Sequence, residues 1–159
     1  MQRSESVERV EAALREHGVP AHIVVVPAST RTAAEAAAVV GCSVAQIAKS
    51  IVLRAKESDA AVVVVTSGSN RVDERAIAAL LGEPVGKADA DFVRAKTGFA
   101  IGGVAPLAHA TPTHRFFDDA LLRYETVWAA AGSPYAVFEI APLELLRITR
   151  ARRVDCSAR

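Results

Sequence analysis

The sequence predicts one α+β domain, and three observations predict it. Residues 61–66 form an uninterrupted apolar, β-branched run, which suits a central strand buried on both faces. Two capping-box patterns, Thr32-Ala33-Ala34-Glu35 and Ser43-Val44-Ala45-Gln46, mark the starts of helical segments. In the second half, short strand candidates follow one another at hairpin length, which excludes a clean βαβ repeat and favours α+β. The 159 residues suit a single domain spanning 1–159, with no internal repeat, linker or boundary.

The elements follow in order. Ser6 is placed to cap a first helix in which Val7, Val10, Leu14 and His17 recur at helical spacing, with Gly18 as its stop. Pro20 precedes an extended run, residues 22–26, and Pro27 ends it. Thr32 opens an alanine-rich helix closed by Gly41, and Ser43 starts a short turn that leads into a strand over 49–54. Lys56, Glu57 and Asp59 mark the turn before the central strand, and residues 67–70 the loop after it. Asp73 opens a helix carrying Ile77, Leu80 and Leu81 and closed by Gly82, and Asp89 caps another that runs through Lys96. Residues 97–106 are too rich in glycine and proline for a regular element. Strands are expected over 115–117, 126–130 and 136–140, then a helix from Pro142 with Leu143, Leu145, Leu146 and Ile148, and a basic tail.

Composition narrows the function. Hydrophobic residues make up 51% and charged residues 23%, ordinary values for a globular protein. No apolar run approaches the roughly 18–20 residues of a membrane span. The segment Met1-Gln2-Arg3-Ser4-Glu5-Ser6 lacks the apolar core of a secretory signal. Cys42 and Cys156 stand far apart in no metal-ligand pattern, so neither a disulfide framework nor a zinc site is expected, and the cytoplasm is the natural compartment. A formal net charge of +1 argues against coating nucleic acid by bulk charge but leaves room for a local basic rim. No helix-turn-helix with a basic recognition helix is visible, which argues against direct DNA reading. Aromatic residues, at 5%, are too scarce for a stacking platform.

A few residues can carry chemistry. Lys49 stands where a helical turn becomes a buried strand. It faces a cleft or solvent, and position alone favours an edge lysine that snorkels. Only Lys49, Lys56, Lys87 and Lys96 are lysines in an arginine-rich chain. Gly102 and Gly103 leave backbone uncovered, so their N–H groups can hold a carbonyl or phosphate oxygen, with Pro106 stiffening the exit; a tight turn is the plainer reading. The segment is neither GxGxxG nor GxxxxGK[ST], which sets aside dinucleotide and P-loop binding. Of the pair Asp118-Asp119, Asp119 reads as a cap or turn residue, and Asp118 stays a minor candidate for acid–base or ligand contact. His17, His22, His109 and His114 form no defensible triad. Cys42 reads as an inert buried thiol, and Arg150, Arg152 and Arg153 as a solvated tail.

The order of these features is more specific than any of them. Gln46-Ile47-Ala48-Lys49-Ser50-Ile51-Val52-Leu53 resembles the lysine-bearing strand of the YbaK / prolyl-tRNA-synthetase-associated family, and residues 32–40 the alanine-rich helix before it. Ser67-Gly68-Ser69-Asn70-Arg71-Val72-Asp73 resembles its loop after the central strand. Thr97-Gly98-Phe99-Ala100-Ile101-Gly102-Gly103-Val104-Ala105-Pro106 is similar to its Gly-aromatic-x-x-Gly-Gly-x-x-Pro loop. Trp128-Ala129-Ala130-Ala131-Gly132-Ser133 resembles a later strand and turn that close the pocket. The likeness covers about residues 7–154.

The resemblance implies a mixed, largely antiparallel sheet curled toward a barrel with helices outside. It implies a free-standing deacylase that hydrolyses the ester between a small amino acid (cysteine, alanine or serine) and the 3′ acceptor end of tRNA, the proline tRNA among them. It allows prolyl-tRNA synthetase as a partner. An aminoacyl ester is already activated, so neither metal nor other cofactor is needed. By the same resemblance Lys49 is the catalytic residue, acting on the terminal adenosine, its phosphate or the ester. Gly98, Gly102, Gly103 and Pro106 form the substrate loop, and Ser50, Asp118 and Ser133 contact the ribose or amino acid. Cysteine-specific members carry an aromatic residue near Val26, a serine near Ala130 or Ala131 and an aspartate near Val137 or Phe138. Alanine-clearing members carry a histidine near Ser133-Pro134-Tyr135. This chain matches neither pattern. The alternative is a non-catalytic module of the same fold that binds the tRNA acceptor end or a synthetase.

Overall fold

The computed structural model describes residues 4–20 and 22–156. Met1 to Arg3, read above for a leader, lie outside that range. Among the described residues the α-helices are α1 (Glu5–Glu16), α2 (Ala33–Val40), α3 (Glu74–Leu81), α4 (Ala90–Thr97) and α5 (Pro142–Thr149). The strands among them are β1 (Ile23–Val25), β2 (Ile47–Ala55), β3 (Ala61–Ser67), β4 (Val85–Lys87), β5 (Thr113–Asp118), β6 (Val127–Ser133), β7 (Ala136–Ile140) and β8 (Arg152–Val154).

Local chemistry sets most of the boundaries. Thr32 and Glu35 form the reciprocal capping box at α2, and Gly41 ends that helix at φ +78°. Asp73 and Asp89 cap α3 and α4 by accepting backbone N–H groups, and Gly82 and Gly98 end them with positive φ. The first helix departs from expectation. Ser4, not Ser6, is its cap, and Ser6 lies inside the first turn. Two further strands replace expected irregular chain: β4 pairs with β2, and the basic tail supplies β8, which pairs with β5. Arg153 also meets Asp119 at 2.7 Å, and Arg152 donates to the Leu80 carbonyl at 3.2 Å, so the tail is docked rather than free.

The sheet runs β1-β7-β6-β2-β3-β5-β8, with β4 attached to β2. Among the described residues, four of its seven pairings are antiparallel. It is mixed, as expected, but it does not close: β1 and β8 remain its edges. β3 is the central strand, and Val62 to Val65 have no exposed surface. Burying each valine stabilises the fold by roughly 1.5–3 kcal/mol. On one face, α1, α4 and α5 add Val10, Val93 and Leu145 to the main core. The opposite face carries smaller clusters beneath α2 and α3. No helix among the described residues is long and apolar enough to cross a membrane.

Candidate active site

β2 pairs with β3 along most of its length, but its other edge is divided. There β6 covers Ile47 and Ala48, and β4 covers Leu53 to Ala55, leaving 49–52 with no neighbouring strand. β6 is drawn off by an irregularity between Ala130 and Ser133, where Gly132 adopts φ +95°. A cleft of about 420 Å³ opens at the gap.

Alternation along β2 sends its side chains to both faces. Lys49 lies on the α2 face, between Ile47 of one small cluster and Ile51, which packs on the other. Ser50 lies on the main-core face with Ala48 and Val52. Residues of both faces line the cleft, so at the gap it meets both faces of the sheet. The backbone adds to it. The Ile47 carbonyl accepts from Gly68 on the β3 side at 2.8 Å, and the Lys56 N–H donates to Pro84 on the β4 side at 2.8 Å. Backbone groups alternate between the two edges of a strand, so the N–H and C=O groups of Ser50 and Val52 face the gap.

Among the described residues, Arg31 and Lys49 are the only charged ones in the lining, and no carboxylate or imidazole joins them. Lys49 is half-buried, and its ammonium has no hydrogen bond or ion pair to another described residue. Arg31 is exposed at the mouth, its aliphatic stem over Gly102. Thr30 holds this mouth to the turn after β6, its hydroxyl donating to the Pro134 carbonyl at 2.6 Å. Trp128 and Ala130 complete the wall on the Lys49 face. Sequence reasoning missed Thr30, Arg31 and Thr32 as lining residues. The only signal was an unpaired cation just before a helix cap.

Of the expected substrate loop, Gly102 lines the cleft at φ +90°. Gly103 lies behind it. Its N–H donates to the Ala100 carbonyl at 3.0 Å, and a Cβ there would come within 2.8 Å of the Ser133 backbone. Gly103 and Ser133 are therefore in contact, and Gly103 serves close packing rather than offering a free donor. Ser133 Oγ accepts the Tyr135 N–H at 3.1 Å within the turn. Gly98 lies under Arg9, whose guanidinium stacks on Phe99 at 4.4 Å and donates to the Ala108 carbonyl at 3.2 Å. Pro106 is buried in the same loop. Asp118 stands apart from the cleft. It is 0% exposed, and its carboxylate accepts from Thr66 Oγ1 at 3.1 Å, Ser67 N at 3.0 Å, Asn70 Nδ2 at 2.9 Å and Ala120 N at 3.0 Å. Neither thiol is primed: burial, reinforced by Glu139, raises the pKa of Cys42, and burial together with Asp118 pushes Cys156 up to about 11.

His109 anchors the far end of the loop. One ring nitrogen meets the Ala105 carbonyl at 2.8 Å and the other Thr113 Oγ1 at 2.8 Å. A carbonyl only accepts, so Nε2 carries the proton and Nδ1 accepts from Thr113. Burial drives the imidazole pKa from 6.5 to about 4; the Ala105 bond opposes the shift, and Arg115 and Arg9 add to it. Between those values the unfolded chain takes up a proton that the folded chain refuses. This contribution is complete above about pH 6.5 and is lost as pH falls through about 4, a total of about 3 kcal/mol. Denaturant titrations at pH 7 and pH 4 are expected to show the stability gap between the native chain and His109→Gln narrowing by that order. A constant gap would mean that His109 titrates normally.

Residues 27–148 match the model of the aminoacyl-tRNA editing domain family. The uncharacterized protein YwhH of Bacillus subtilis (strain 168) is 32% identical over 117 residues, 74% of each chain. A crystal structure named as a candidate trans-editing enzyme for prolyl tRNA synthetase is 44% identical with TM-score 0.91, covering 99% of this chain and 100% of that one. Another, of a hypothetical protein, is 31% identical with TM-score 0.87, covering 94% and 99%.

Proposed function

The chain belongs to the aminoacyl-tRNA editing domain family, and from that we propose that it acts in trans as a deacylase, hydrolysing the ester of tRNA mischarged with a small amino acid. The proline tRNA is the first carrier to test, since one similar structure is named for prolyl tRNA synthetase. The observation that carries this reading is the cleft at the uncovered edge of β2, whose only charged lining groups among the described residues are Lys49 and Arg31.

That arrangement suits an anionic, uncharged-at-the-ester substrate. The terminal adenosine and its phosphate lie on the Lys49 face, near Arg31 and Trp128, and the aminoacyl group enters the gap toward Ser50. Water attacks the ester carbonyl carbon. The developing oxyanion is stabilised by the Lys49 ammonium and by an N–H of the free β2 edge, the attacking water gives up a proton to solvent, and the tetrahedral intermediate collapses with release of the 3′ oxygen, which takes a proton from solvent. Donors fixed in place before reaction stabilise such charge without reorganisation, each worth about 10²–10³ in rate. The β2 edge supplies the donor expected of Gly103, while Gly102 forms part of the wall and Gly103, packed on Ser133, supports it from behind. The ester's own reactivity makes a side-chain base unnecessary. The apolar lining on the main-core side, with Ala48, Val52, Val93 and Val104, suits a small apolar or weakly polar amino-acid side chain.

The test of the reading is the time course of ester loss from mischarged tRNA. Arg31 gives it a second handle. Arg31→Gln is expected to raise KM about tenfold with kcat little changed, and to lower the slope of log KM against log salt by about 0.7–0.9, the loss of one phosphate contact. An unchanged salt slope would remove Arg31 from the phosphate site.

A further inference from the structure

Resting on the deacylase reading, we infer that Ser50 selects substrates whose amino-acid side chain carries a hydroxyl. Ser50 Oγ is the one buried side-chain nitrogen or oxygen among the described residues that has no hydrogen-bond partner. Such a group is costly to bury, and most buried polar atoms are paired. Its position gives it a use. On the main-core face of the cleft the other lining residues are apolar, among them Val52, Ala88, Val93 and Val104. Ser50 thus supplies the only side-chain polar atom of a small apolar chamber that opens off the gap where the ester is placed.

The residue itself is only half-buried. Ser50 lines the cleft, and we place Oγ in the χ1 well that faces it. There it can donate to, or accept from, a hydroxyl entering the chamber. A methyl group leaves it unpaired, and a thiol is a weak partner. The walls beside it, Val52, Val93 and Val104, offer the entering side chain only apolar contact. The Lys49 face contributes nothing to this choice, because Lys49 and Ser50 point to opposite sides of the sheet.

The experiment compares kcat/KM for one tRNA carrying serine, threonine, alanine or cysteine, with the native chain and with Ser50→Ala. The native chain is expected to favour seryl- over alanyl-tRNA by at least about tenfold, and Ser50→Ala to reduce that ratio by about tenfold or more. The thermal midpoint of Ser50→Ala is expected to equal or exceed the native one, because the orphaned hydroxyl is gone; this also shows that the variant folds. A ratio unchanged by the substitution, or alanyl- or cysteinyl-tRNA cleaved by the native chain as fast as seryl-tRNA, would overturn the inference and leave the deacylase reading standing. No hydrolysis of any of the four by the native chain would overturn both.

Discussion

Lys49→Ala is expected to lower the rate of aminoacyl-ester hydrolysis by at least about a hundredfold, the scale set by removing one preorganised oxyanion donor. Stability is expected to change by less than about 1 kcal/mol. The two expectations come from the same geometry. The ammonium has no hydrogen bond or ion pair to any other described residue, so its removal orphans nothing. Its stem rests between Ile47 and Ile51 on an open part of the sheet, where alanine loses only some apolar contact. Lys49→Arg keeps the charge but replaces a compact point donor with a planar fork, and is expected to recover only part of the rate. Rates measured beside denaturant midpoints separate the outcomes. A large loss of stability would mean that Lys49 is a structural residue. A preserved rate would move the chemistry away from β2.

Asp118→Ala is expected to have the opposite signature, a cost of about 3–5 kcal/mol in stability. Removing the carboxylate strands the Thr66 hydroxyl, the Asn70 amide and the backbone N–H groups of Ser67 and Ala120, all buried or half-buried around it. The damage reaches the cleft through one step. Thr66 is the cross-strand partner of Lys49, so loosening the end of β3 loosens the strand that carries the lysine. Asp118→Asn keeps one oxygen acceptor and is expected to recover much of the stability. Had Asp118 contacted substrate, both variants would lose activity while their denaturant midpoints stayed near native.

These two residues show what could be read before the fold was known. Lys49 was singled out because its sequence neighbours are distinctive, although its position alone pointed to a snorkelling lysine. Asp118 was also singled out, but a sequence does not tell a carboxylate that meets substrate from one that four internal donors surround; that depends on β3, β5 and the loop after β3 converging. The capped helices were legible because Thr32, Asp73 and Asp89 act within four residues of themselves. β4 was not, since Val85-Gly86-Lys87 carries a glycine and only three residues. Nor was β8, where two arginines mask an edge strand that exists only because β5 offers it a partner. The cleft itself was the least legible feature. It exists because β6 and β4 share one edge of β2 without meeting, and that is a property of long-range register rather than of any segment. Gly102 and Gly103 are adjacent in sequence, yet one lines the cleft and the other packs on Ser133.

The central claim is that the cleft hydrolyses an aminoacyl ester through Lys49. Its most direct test follows ester loss from tRNAs charged with cysteine, alanine, serine, glycine, threonine and proline, with the native chain, Lys49→Ala and buffer in parallel. The expected result is loss from one or a few small mischarged species well above buffer, reduced at least about a hundredfold in the variant. Tight binding of the acceptor end with no loss above buffer would contradict it, and would make the chain a binding module of the editing fold.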